Sequence, residues 1–198
     1  MPPWAIEQGI EVSGEPVGAI LDAFQLFPSL PMKHLLQYGF AKASADGKRP
    51  VVDRAGWYPI GDLLAFFKTV AEAMGTNALF RIGQHVPTNA LFPPPESDIE
   101  KELASIDVAY HMNHRKQGVV MYSPGSGRML EGIGHYHLRR PGARRLAVLG
   151  ENPYPCDFDL GIVTAMARRS EPRARVWHED PQICRKQGAD CCTYLIEW

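Results

Sequence analysis

No apolar run in this 198-residue chain approaches the ~20 residues needed to cross a bilayer, so no membrane span is expected. Charge of one sign is lacking too. The 21 Lys and Arg stand against 22 Asp and Glu, and a net charge of −1 supplies no field to draw in nucleic acid or an anionic membrane. Met1-Pro2-Pro3-Trp4 has neither the basic start nor the apolar stretch of a secretory signal. A cytoplasmic, reducing setting is therefore expected. Cysteine is scarce, and the four present are badly spread for a disulfide framework, because Cys184, Cys191 and Cys192 crowd together. Repeats and low-complexity tracts are absent.

What remains is an ordinary globular composition, 45% hydrophobic and 22% charged, in a chain long enough to bury a sizeable core. The pattern predicts one domain over 1–198. Its parts are a Gly- and Pro-rich lead-in with a first helix (1–55), a helical part (56–115), and an antiparallel sheet with a short helix and a cysteine hairpin (116–198). In the lead-in, an apolar stretch runs from Val17 to Phe27, a helix is expected over about 31–43, and Asp46 to Pro50 form a loop. Leu63, Leu64, Phe66, Phe67, Val70 and Ala73 at helical spacing predict a helix from Ile60 to Met74, ended by Gly75. A second helix starts near Asn77, and Pro93-Pro94-Pro95 break the chain. Ser97 with Glu100 reads as a capping box for a helix through Ile106 and Ala109. Strands are expected over Val119–Ser123, Met129–Leu138, Arg145–Leu149, Ala174–Trp177 and Cys192–Trp198, with a turn at Arg140-Pro141-Gly142-Ala143 and a helix from Asp157 or Asp159 to Arg169. Helices first and strands later predict an α+β fold, helices packed on one face of a C-terminal antiparallel sheet.

The stretch Cys184-Arg185-Lys186-Gln187-Gly188-Ala189-Asp190-Cys191-Cys192 is the most informative. Strand alternation places Cys192, Tyr194, Ile196 and Trp198 on one face and Cys191 on the other, so Cys191 and Cys192 do not easily serve one ion. Gly188 turns Cys184 back towards Cys192. Zinc takes thiolates at ~2.3 Å in a tetrahedron, and a hairpin with one cysteine on each limb supplies two corners. Cys156, just ahead of a helix whose N-terminus favours a thiolate, supplies a third. The fourth is expected from His178, Glu179 or Asp180. Buried free thiols are the plainer alternative.

The pattern Cys184, Gly188, Cys192, Tyr194, with Cys156 upstream, resembles the 4-vinyl-reductase-type small-molecule-binding domains, which are related to heme/NO-signalling and TRAPP-like ligand-binding folds. The resemblance is specific over about the last 50 residues. It implies a structural zinc held by an upstream cysteine, an acid and two hairpin cysteines. Cys156, Cys184 and Cys192 carry over, but the family's acid falls on Pro181, which cannot ligate; Asp180 or Glu179 replaces it if the loop shifts. It further implies an apolar ligand pocket, for which Trp57, Tyr110, His111 and Tyr122 are the candidate residues, and a homodimer or an attached effector.

Other residues are open to chemistry. His111 and His114, three apart near a helix end, can share a face and meet a metal, a heme or a ligand, or simply cap carbonyls. His135 and His137 share one strand face, as pocket wall or as plain surface. Heme is not expected, because nothing is more specific than a lone histidine. Arg139, Arg140, Arg144 and Arg145 flank a turn and can hold a phosphate or remain solvated. The reading is a non-enzymatic sensory domain that binds a small hydrophobic or aromatic molecule and carries a structural zinc. The alternatives are a tetrapyrrole-related reductase or metal-dependent enzyme, and a TRAPP-like dimeric module without ligand.

Overall fold

The computed structural model describes residues 9–24, 36–45, 50–96 and 98–198. Among them are five α-helices, two four-stranded antiparallel sheets and two short ribbons. The helix expected over 31–43, the loop at Asp46 and the cap at Ser97 fall wholly or partly outside the described residues. The lead-in is more ordered than expected. Ile10–Ser13 form strand β1, and Gly14–Phe24 form helix α1. Ile10 and Val12 are buried, but four residues show too little alternation to announce a strand. The ribbon β2–β3 follows, Lys42–Ala43 against Pro50–Val51. Strand β4 (Trp57–Pro59) pairs with β1, as does β5 (His114–Lys116), and β6 (Val119–Val120) completes the order β4-β1-β5-β6. This sheet joins three distant parts of the chain and stands in addition to the C-terminal sheet expected.

Helix α2 (Ile60–Met74) turns Leu63, Phe66, Phe67 and Val70 inward. Gly75 ends it at φ 78, a conformation that glycine adopts without strain. Helix α3 (Thr76–Asn89) buries Leu79, Ile82, Gly83 and Val86. Asp98 caps α4 (Ile99–Met112), its side chain accepting from the Glu100 N–H at 2.8 Å. The ribbon β7 (Tyr122–Ser123) with β8 (Arg128–Met129) leads to the second sheet.

That sheet has the order β11-β12-β10-β9, with β9 at His135–Gly142, β10 at Arg145–Glu151, β11 at Arg175–His178 and β12 at Cys192–Glu197. The turn lies later than expected, because β9 runs through Pro141 to Gly142. An edge strand tolerates a residue without an N–H, and the register with β10 shifts between Arg145 and Ala147. In β12, Cys192, Tyr194 and Ile196 face inward. Helix α5 (Cys156–Ser170) packs under this sheet. Its Arg169, in the last turn, pairs with the buried Glu102 at 3.0 Å.

Helices α3 and α5 touch through backbone. A Cβ on Gly83 would sit 2.0 Å from the Phe158 carbonyl oxygen, and one on Gly161 would sit 2.2 Å from that of Phe80. Only glycine permits this approach, and both helices wall the cavity described next.

Candidate functional site

All five helices contribute to an apolar cavity of about 50 Å³, through Ile20, Leu63, Val86, Tyr110 and Phe158 in chain order. His114 also faces it. Asn113 caps α4, so His114 leaves the helix and begins β5. That exit turns its ring inward, where it is 3% exposed. Its Nδ1 lies 2.6 Å from the Tyr110 carbonyl oxygen, which can only accept, so Nδ1 carries the proton. Nε2 therefore holds a lone pair, and the Tyr154 hydroxyl donates to it at 2.7 Å. Burial pushes the imidazole down to about 4, so it stays neutral at physiological pH.

Polar groups on the cavity wall are tied outward. The Tyr110 hydroxyl donates to the Ile133 carbonyl at 2.7 Å, and the Tyr136 hydroxyl donates to Asp159 at 2.7 Å. Asp159 also accepts from Asn152 at 3.0 Å and from the Arg185 guanidinium. Burial raises the Asp159 carboxyl, against the pull of Arg185 and its hydrogen-bond donors.

Of the four ligand residues expected from the sequence, Tyr110 alone lines this cavity. Trp57 lies under the Arg115 guanidinium, 4.7 Å from its ring centre, beside a separate surface groove. Tyr122 sits half-buried in the β7–β8 ribbon. His111 is buried on the α4 face towards β9, its ring 4.7 Å from that of His135. The three-residue spacing misled here, because the helix ends between His111 and His114. Tyr136 and Tyr154 were missed, and nothing in their local sequence marks them.

The cysteines form a second centre. One sulfur each from Cys156, Cys184 and Cys192 lies within 4.8 Å of the others, while Cys191 stays outside. Cys156 opens α5 and Cys192 opens β12. Cys184 precedes a single 3-10 turn (Arg185–Gln187) that Gly188 closes at φ 87. The Cys156 thiol beside it pulls Cys192 well below the usual thiol range, and Cys192 in turn raises Cys156. His178 and Arg185 add to the depression of Cys192, and the Arg185 N–H and Nε–H lie 3.3 and 3.4 Å from its sulfur. Three such donors can hold a thiophilic metal ion. Asp180 is not with them: its carboxylate accepts from the Gln182 N–H at 2.8 Å, an ordinary turn contact. Glu179 pairs with Arg139 at 2.8 Å. His178 stacks 4.9 Å from Tyr194 and keeps a buried Nε2 with no hydrogen-bond partner among the described residues.

No family model matches the chain, and no curated protein matches it; the 4-vinyl-reductase type is therefore not shown. Solved structures do share the fold. An H-NOX protein from S. oneidensis in the Fe(II)NO ligation state matches at TM-score 0.59 and 15% identity, over 93% of this chain and 98% of that one. A Tt H-NOX double variant matches at 0.62 and 12%, over 94% of each chain. A protein described by its heme redox potential and porphyrin distortion matches at 0.60 and 12%, over 94% and 99%. At such identities the likeness establishes the fold. It also corrects the cofactor expectation: one of these neighbours is described by its heme and another by its Fe(II)NO state, so setting heme aside in favour of zinc does not stand. His114 is a neutral, buried imidazole on an apolar wall, with Nδ1–H tied to a carbonyl and Nε2 bonded to the Tyr154 hydroxyl. No helix among the described residues is long and apolar enough to cross a membrane.

Proposed function

We propose that this chain is a non-enzymatic, ligand-binding sensory domain that receives heme in the helical cavity, with His114 Nε2 as the iron ligand. The observation that carries the reading is the tautomer of His114, fixed by the Tyr110 carbonyl and neutral through burial. Bound there, heme would supply an iron that takes a small diatomic molecule, as the Fe(II)NO structure does. The chain's own residues do the rest. Tyr154 occupies the Nε2 lone pair until it is displaced, and the apolar walls exclude water. As packed, the cavity of about 50 Å³ is far below the ~300–1,000 Å³ of ordinary ligand pockets, so the helices must part to admit a porphyrin. That movement is the signal passed to a homodimer partner or to a fused or separate effector.

In this reading the cysteine cluster is a clamp and not the cofactor centre. Cys156, Cys184 and Cys192 tie the hairpin to α5.

Titration with hemin tests the proposal. One Soret-absorbing complex should form per chain, be lost in His114→Gly, and return when imidazole is added. Tyr122→Phe should bind as the wild type does. A wild-type protein that leaves the hemin spectrum unchanged, or a His114→Gly variant that binds equally, refutes it. The small cavity itself favours a second reading, in which an apolar molecule of a few heavy atoms binds without cofactor. A silent hemin titration together with a thermal shift from such molecules would favour that reading.

A further inference from the structure

We propose that Asp107, His111 and His135 bind a first-row divalent transition-metal ion at the junction of α4 and β9. This site is separate from the helical cavity and from the cysteines. One ligand atom from each of the three lies within 4.8 Å of the others. His111 is fully buried, at 0% exposure, and its Nδ1 lies 2.8 Å from the Asp107 carbonyl oxygen. A carbonyl only accepts, so Nδ1 is the protonated nitrogen and Nε2 keeps its lone pair. That Nε2 is buried with no hydrogen-bond partner among the described residues. A buried acceptor without a donor needs an explanation, and an imidazole whose other nitrogen donates to a carbonyl is the usual form of a metal ligand.

His135 is held between two carboxylates, so an ion that enters displaces a proton from its ring. His135 Nδ1 lies 3.1 Å from one Asp107 carboxylate oxygen, and the other carboxylate oxygen accepts the Tyr136 N–H at 2.9 Å, which holds the carboxylate in place. Asp107 and His135 side chains are 18% and 22% exposed, which leaves a route from solvent. Glu131, 83% exposed and 3.1 Å from His135 Nε2, stands at that opening. Two imidazoles and one carboxylate select borderline ions such as Co²⁺, Ni²⁺ or Fe²⁺; calcium and magnesium prefer all-oxygen shells, and Cu(I) prefers sulfur. Three protein donors leave positions for water. An ion here would pin α4, the helix that carries Tyr110, against the second sheet.

Co²⁺ titration of the full chain, followed by visible absorption, tests the site. The expected result is one Co²⁺ with weak ligand-field bands and no sulfur charge-transfer band, bound at least tenfold more weakly by both His135→Ala and His135→Gln. The neighbouring, half-exposed His137→Ala should bind as the wild type does. Three results overturn the proposal: no bound Co²⁺, a spectrum made up only of sulfur charge transfer, or equal affinity in the wild type and a folded His135 variant. Hemin is absent throughout, so its failure to bind would leave this result untouched.

Discussion

Acid should destabilise this domain through one buried imidazole. In the unfolded chain His114 takes a proton near pH 6.5, whereas in the folded protein burial holds it down to about 4. Between those values the unfolded state binds more protons, so stability falls as pH falls. The contribution is complete above pH 6.5, is lost progressively below it, and is exhausted under about pH 4. Each factor of ten in proton affinity is worth ~1.4 kcal/mol, so the window holds about 3 kcal/mol. Against the ~5–15 kcal/mol of a typical domain that is a large share. Other groups titrate nearby. His111, lowered mainly by burial, slopes the same way. His135 is buried too, but its hydrogen bonds to Asp107 and Glu131 win and raise it, so it is stabilising at low pH and opposes the loss. A comparison of the wild type with His114→Gln removes these shared terms. Urea unfolding at pH 7, 6, 5 and 4 should show the stability difference between the two proteins shrinking by about 3 kcal/mol from the highest pH to the lowest. A difference that stays constant to within ~0.5 kcal/mol, the scatter expected of unrelated sites, would show that His114 is not buried as described.

Two further substitutions probe the scaffold. Asp159→Asn leaves Arg185, 8% exposed, beside a neutral amide, and should cost roughly 3–5 kcal/mol, or about 6–20 °C in melting temperature for a chain of this size. Adding Arg185→Met should recover part of that loss, and a single-variant loss under about 1 kcal/mol would contradict the buried pair. Gly161→Ala forces a methyl against the Phe80 carbonyl and should cost at least about 1–3 kcal/mol in urea unfolding. Because α3 and α5 both wall the cavity, hemin affinity should change with it; an unchanged urea midpoint would refute the close approach.

Long elements with a full period were readable. Helix α2 carries its core residues at regular spacing and a glycine stop, and β12 alternates cleanly, so both lie close to where the pattern puts them. Short elements were not. Strand β1 has four residues, and its partners β4 and β5 lie far along the chain, Arg115 being 104 residues from Glu11. Such pairing is a tertiary fact with no local period. Pro141 failed as a turn marker for a related reason: whether proline ends a strand depends on whether that strand is an edge, which only the assembled sheet decides.

The site follows the same division. Cys156, Cys184 and Cys192 were readable as a group because two sit on one hairpin and the third opens a helix, all features of local chain geometry. The histidines were not. His111 and His114 are three residues apart, equally inward and alike in having Nδ1 bonded to a carbonyl. What separates them is what Nε2 meets. Tyr154, 40 residues further on, gives His114 a donor at the edge of an apolar cavity, while the Nε2 of His111 has no partner among the described residues and its ring stacks against His135. A lone histidine in a sequence therefore argues neither for heme nor against it. The deciding quantity is the environment of one nitrogen, and that is set by β9, α5 and the segment leading into α5, not by the residues beside it.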